Sequence, residues 1–297
     1  MNLTNLLQNV YSDTGQTDPE FGQFVSTGGS ATTFVNTVWG DLESPPEDDA
    51  LKNRILFVQS TTDGLAPQGK YSKVSAYVSS TYTGTIATVT ETIGAGDVLM
   101  LAKTDLFPLQ EMIFRVNRAL TNLGEIPISD TSITTGSSQT EYALPVAVKN
   151  GLLKVYEQQF LGDADNNQWN EVTQWRVDPT GAGTTGLLII PQLPSGRTLK
   201  LIYMGIHPLV TVYSDTISEY IHPNVATISS VIECLNWYNN RDENQGANEY
   251  FVWLVGQKKQ ELMQEFAKHG IWKPSKTPKY FNTNYPALRK ADTQQAP

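Results

Sequence analysis

Residues 107–124 read FPLQEMIFRVNRALTNLG, and this stretch decides the fold class. Leu109, Met112, Ile113, Val116, Leu120 and Leu123 recur at three- and four-residue steps, so they fall on one stripe of a helix. Pro108 suits the start of that helix and Gly124 the position after its end. β-rich runs lie on both sides. Before it come 54–59, 72–78, 84–91 and 98–102, separated by turn signals such as Pro67-Gln68-Gly69 and Gly94-Ala95-Gly96-Asp97. After it come 152–159, 171–177, 187–190 and 198–204, at spacings that antiparallel hairpins connect economically. Strand runs and helices in separate blocks predict an α+β fold.

Working outward, Leu3, Leu6, Leu7 and Val10 have the spacing of a short amphipathic helix. Residues 13–29 are rich in Gly, Thr, Asp and Ser, yet Phe21, Phe24, Phe34 and Trp39 must pack on something, in this subunit or the next. Past His222-Pro223, a stripe of Val225, Ile228, Ile232 and Leu235 predicts one long helix; Phe251, Leu254, Val255, Leu262 and Phe266 predict a second, stopped by Gly270. A polar link at 239–246 makes the pair an αα-hairpin. The predicted fold is a helical core with this long C-terminal αα-hairpin, carrying antiparallel β-sandwich- or barrel-like modules between extended N- and C-terminal arms. The expected divisions are an arm at 1–50, a small β module at 51–105, a helix and linker at 106–139, an antiparallel β module at 140–213, the helical hairpin at 214–270 and a basic tail at 271–297.

Charge is sorted along the chain. The first fifty residues hold eight acids and no base, whereas 273–297 holds five bases against Asp292. The net charge of −9 argues against non-specific binding to nucleic acid or to an anionic membrane. Charged residues are only 17% of the 297, a low share that favours broad, weakly charged contact surfaces. One cysteine, Cys234, allows no intrachain disulfide and reads as a buried thiol. No run approaches the ~18 apolar residues of a membrane helix, and the first residues do not read as a secretory signal.

Several motifs have plainer readings. Gly181-Ala182-Gly183-Thr184-Thr185-Gly186 matches the dinucleotide fingerprint, but a strand-like Leu187-Leu188-Ile189-Ile190-Pro191 follows where a helix is required, so it reads as a hairpin loop. Asp163, Asp165 and Asn167 begin a calcium loop, but Gln168 replaces its glycine and Gln174 its bidentate Glu. His207, His222 and His269 show no metal-ligand spacing and read as structural. Paired carboxylates of a glycosidase, with Glu171 as one candidate, leave no specific trace. Trp169 and Trp175 read as packing the second β region, and Trp237 and Trp253 as packing the helix pair. No catalytic, cofactor or metal residue is assigned.

The tail carries the candidate binding residues. Its bases Lys273, Lys276, Lys279, Arg289 and Lys290 alternate with Trp272, Tyr280, Phe281 and Tyr285 and with prolines. On an otherwise acidic chain, that composition fits an arm laid along a neighbouring protein better than a grip on phosphates.

Residues 107–124, Trp175-Arg176-Val177-Asp178 with its glycine loop, 193–203 (LPSGRTLKLIY) and the helix pair closed by Gly270 together resemble the head–tail connector (adaptor, head-completion or neck) proteins of tailed bacteriophages. The resemblance covers roughly residues 50–290 as architecture. It implies a non-enzymatic virion protein made in the bacterial host cytoplasm, without cofactors. It implies a homo-oligomeric ring, a dodecamer, between the portal protein and the next neck or tail protein. The tail would dock into the portal, and viral DNA would pass through the lumen without specific binding. Other virion roles stay open: a minor capsid or decoration protein, a tail terminator, or a baseplate or receptor-binding protein with a carbohydrate-binding β module.

Overall fold

The computed structural model describes residues 1–17, 21–145, 148, 151–159, 168–178, 186–241 and 249–271. Two compact units emerge, one from Met1–Leu123 with Pro208–Ile271, the other from Gly124–His207. Helices and antiparallel sheets occur together, so the α+β class holds.

The first unit opens with helix α1 (Leu3–Asp13) and strands β1 (Gln23–Val25), β2 (Gly28–Ser30) and β3 (Thr33–Val35). Strands β4 (Ile55–Ser60), β5 (Tyr71–Val78), β6 (Thr83–Ile86) and β7 (Val98–Ala102) follow, then helix α2 (Leu109–Asn122). After the second unit the chain returns for helices α3 (Pro223–Asn239) and α4 (Glu249–Lys268). Asn2 caps α1 by accepting the Asn5 amide at 2.9 Å, and Leu3, Leu6, Leu7, Val10 and Tyr11 are fully buried. The Tyr11 hydroxyl donates to the Phe107 carbonyl at 3.0 Å, and burial pushes its phenol far above the usual range.

The seven strands form one antiparallel sheet in the order β1-β7-β4-β5-β6-β3-β2. Its two edge strands, β1 and β2, are joined in sequence by Ser26 and Thr27 alone. A flat sheet would hold its edges about 29 Å apart at the usual strand spacing, but so short a link reaches only ~11 Å. The sheet must therefore roll until its edges meet. Ser26 stitches the seam: its amide donates to the Asp97 carbonyl at 2.8 Å and its hydroxyl to the Val35 carbonyl at 3.1 Å.

Residues 1–50 are therefore not an extended arm. They supply α1, three strands and a 3-10 turn (Thr37–Asp41) carrying Trp39. The rolled sheet closes around Trp39, whose ring centroid lies 5.5 Å from Phe21, 4.7 Å from Phe24, 6.3 Å from Phe34 and 5.9 Å from Tyr77. Gly84 faces Phe34 so closely that a Cβ there would fall inside the ring's van der Waals envelope.

Asp97 is buried at 2% exposure and accepts the backbone amides of Thr62 at 2.9 Å and Gly94 at 2.8 Å. Asp97→Ala leaves both amides without that acceptor, and we expect a loss of about 2–3 kcal/mol. Asp97→Asn, which keeps one acceptor oxygen, should lose less. Urea denaturation midpoints of the two variants check this order; equal losses would mean that the aspartate does not hold these loops.

The second unit holds β8 (Glu125–Thr134), β9 (Glu141–Ala143), β10 (Leu152–Gln158), β11 (Trp169–Glu171), β12 (Arg176–Asp178), β13 (Leu187–Ile189) and β14 (Thr198–Ile206). A four-stranded sheet runs β11-β10-β14-β8 and a three-stranded one β12-β13-β9. Both contribute to one apolar cluster that includes Tyr142, Val155, Trp175, Leu188 and Leu201. Residues 125–134, which the sequence places within a linker, form a ten-residue strand along β14. Pro127 and a polar outer face disguise it, and both are tolerable because β8 lies at a sheet edge.

Candidate functional site

Among the described residues, α4 presents a large apolar surface to the outside. It is 20 residues long, yet only Phe251 and Val255 are buried. Leu254 and Leu262, expected in the core of the helix pair, are half-buried. Phe266, read with them as part of the inward stripe, is partly exposed. On the outward side, Val252 is 51%, Trp253 58% and Met263 72% exposed, with Tyr250 beside them. Val252 and Met263 are eleven residues apart, close to three full turns, so they share a face. Trp253 therefore does not pack the helix pair as the sequence predicted.

The inward side of α4 explains its orientation. Tyr238 at the end of α3 meets Phe251 at the start of α4, with ring centroids 5.1 Å apart. At the other end, the Asn224 side-chain amide donates to Glu265 at 3.1 Å. The two helices therefore run antiparallel. Phe107 joins the aromatic end, 5.5 Å from Tyr238 and 6.2 Å from both Trp237 and Phe251. Lys258 reaches across to Asp13 of α1 at 2.8 Å and to Glu261 at 3.0 Å. Burial works against its ammonium, but these hydrogen bonds outweigh it and hold the lysine above its ordinary range.

A cavity of 210 Å³ lies between α2, α3 and α4, lined by Ala119, Leu123, Ile232, Glu233, Leu262 and Phe266. Ligand sites usually measure roughly 300–1,000 Å³, so this space suits a single inserted side chain better than a cofactor. Glu233 at its rim is already engaged, accepting from Asn122 at 2.8 Å and pairing with Arg118 at 3.3 Å.

The fold also assembles what spacing did not disclose. His222, Glu265 and His269 bring their ligand atoms within 4.8 Å of one another. Glu265 and His269 are an i, i+4 pair at the end of α4, a proximity that the sequence alone contains. His222, which caps α3, joins them only because the helices run antiparallel. The Asn224 amide and the Lys268 ammonium hold the Glu265 carboxyl below its ordinary range, so a carboxylate faces the two imidazoles.

Other candidate residues have different settings. Cys234 is buried and its thiol hydrogen points to the Met112 sulfur at 3.2 Å; burial pushes its pKa up, leaving a protonated, unreactive thiol. Strands β12 and β13 pair antiparallel through Asp178 and Leu187, and no helix follows Gly186, so the dinucleotide context is missing. Glu171 pairs with Lys154 at 3.3 Å. Trp175 is buried in the second unit's core, and the Lys200 ammonium lies 5.7 Å from the centre of the Trp169 ring. Trp175 therefore offers no ring to a sugar, whereas Trp169 is half-buried.

The tail residues named above, Trp272 to Lys290, and the acidic loop Asp163–Asn167 lie outside the described residues. Among the described residues, no helix is long and apolar enough to cross a membrane. No protein-family model matches the chain, and no match to a curated protein was found.

Proposed function

We propose that this protein is a structural component of a tailed-phage virion, a head–tail connector that assembles as a ring of identical subunits against the portal. The observation that carries the proposal is the outward face of α4. Large apolar side chains on one helix face have a cost in water that contact with a neighbour removes. Val252 and Met263 supply that face and Trp253 flanks it, about 100° round the helix; Trp is among the residue types enriched at energetic centres of interfaces.

A second copy of the chain is the occupant the charge pattern favours. Asp41, Glu43, Glu47, Asp48 and Asp49 form an acidic stretch, and 273–290 is basic. Opposite charge at two separate places suits a head-to-tail contact, and head-to-tail contacts that close produce rings. An acidic lumen would let DNA pass without gripping it. The antiparallel α3–α4 pair would be the hairpin at the ring's core, and the rolled sheet and the second unit its β modules.

The experiment is the mass of the full chain, alone and mixed with the portal protein of its phage, by light scattering. A ring that forms with the portal supports the connector. A stable trimer indifferent to the portal would overturn it in favour of a spike or receptor-binding protein. A chain lacking 272–297 is expected to keep its circular dichroism spectrum and to lose portal binding; normal docking by that chain would remove the tail's assigned role.

A further inference from the structure

We infer that His222, Glu265 and His269 form a binding site for a transition-metal ion of the zinc type, which clamps the start of α3 to the end of α4. Their ligand atoms lie within 4.8 Å of one another, a span that one ion can bridge. Two imidazoles and a carboxylate are a donor set for zinc, with metal–ligand bonds of roughly 2.0–2.2 Å. Imidazole nitrogen disfavours calcium and magnesium, which take oxygen ligands. Three protein ligands leave a fourth tetrahedral position for water or for a group brought by a neighbour.

The stacking of the two rings shows what binding must rearrange. The two imidazole rings stack, with centroids 3.8 Å apart and planes within 4° of parallel. Nitrogen lone pairs lie in the ring plane, so stacked rings aim theirs along two parallel planes and not at one point. One ring has to turn. His269 is exposed, just past the end of α4 at Lys268, and has room to do so. His222 presently accepts the Asn224 backbone amide through Nδ1 at 3.3 Å. Coordination through Nδ1 replaces that bond, and coordination through Nε2 requires a proton on Nδ1. In either case the cap of α3 yields to the ion, and at 3.3 Å it is a long bond to give up. Glu265 is also held by the Asn224 side chain and by Lys268, both at 3.1 Å. A carboxylate has acceptor capacity for those donors and one metal bond together. Lys268 is 63% exposed and can swing its charge away from the ion.

The ion would link a residue at the start of α3 to two at the end of α4. The opposite end of the same pair is already closed by Tyr238 and Phe251. A clamp at this end, where Asn224 already donates to Glu265, would fix the angle of α4 more firmly, and with it the direction in which its outward face points. This site is argued from the three side chains alone and does not depend on the connector reading.

The test uses the full chain, stripped with a chelator, desalted and titrated with zinc chloride by calorimetry. We expect one saturable equivalent per chain, and visible d–d bands of four-coordinate geometry when cobalt chloride replaces zinc. Excess magnesium or calcium should not compete. His269→Ala and Glu265→Gln should lose both signals while keeping the helical circular dichroism of the parent. Because His269 is exposed, its replacement is compatible with folding; Glu265→Gln preserves an acceptor for Asn224. No saturable zinc binding by the parent, or parental binding by the His269→Ala variant, would overturn the inference. Displacement of zinc by magnesium would also overturn it, since the ligand set would then not be imidazole-based.

Discussion

Replacing Trp39 by alanine is expected to destabilise the larger unit by about 3–5 kcal/mol. For a unit of this size that corresponds to a fall in thermal midpoint of roughly 6–20 °C. Trp39 is 4% exposed and touches four other aromatic side chains, three of them from within the first fifty residues. Truncation removes the transfer free energy of the indole and also leaves a void. The surrounding strands cannot close that void, because the rolled sheet is pinned at its seam by Ser26. Trp253→Ala is the internal control: its side chain is 58% exposed, so the change should lie within about 0.5 kcal/mol. Melting curves followed by circular dichroism measure both. Equal small shifts would mean that residues 1–50 are dispensable to the fold, as an extended arm would be.

Elements with a repeating pattern could be read from the sequence, and elements built from single residues could not. The stripe of α2 is visible in Met112, Val116 and Leu120, and all three are buried. Runs such as Ile55–Ser60 and Val98–Ala102 are long enough to show β character, and both are strands. By contrast, β1 and β3 are three residues long, each burying one aromatic, Phe24 or Phe34, between exposed or half-exposed neighbours. Three residues establish no period, so an acidic, glycine-rich segment reads as an arm although it completes a sheet. The 125–134 strand fails for a different reason: Pro127 and Asp130 contradict strand propensity, and only its edge position excuses them. The candidate surface was half legible. Apolar residues of α4 announce a helix, but they occur on two sides of it, and a sequence does not say which side meets its own chain. The His222–Glu265–His269 group was legible only as the Glu265–His269 pair, because the third member arrives through tertiary pairing.

The outward face of α4 makes the second strong prediction. Val252→Asp combined with Met263→Asp should leave the thermal midpoint of the isolated subunit nearly unchanged and abolish its assembly. Both positions are more than half exposed, so a carboxylate there stays hydrated and costs the fold about 0.5 kcal/mol or less. In an assembled state the same carboxylates would be stripped of water without a partner. Loss of a central interface side chain alone removes about 2 kcal/mol or more, a weakening of roughly thirtyfold per contact. In a closed ring that penalty recurs at every subunit boundary, so assembly should disappear rather than decline. Val255→Asp is the contrasting change: at 7% exposure it buries a charge against the helix pair and should cost the fold about 3–5 kcal/mol. Light scattering and thermal melts of the two variants separate the roles. If the outward pair assembled like the parent while remaining folded, α4 would not be the interface, and the apolar face would need another explanation. If the outward pair unfolded the subunit, the face would belong to the core after all.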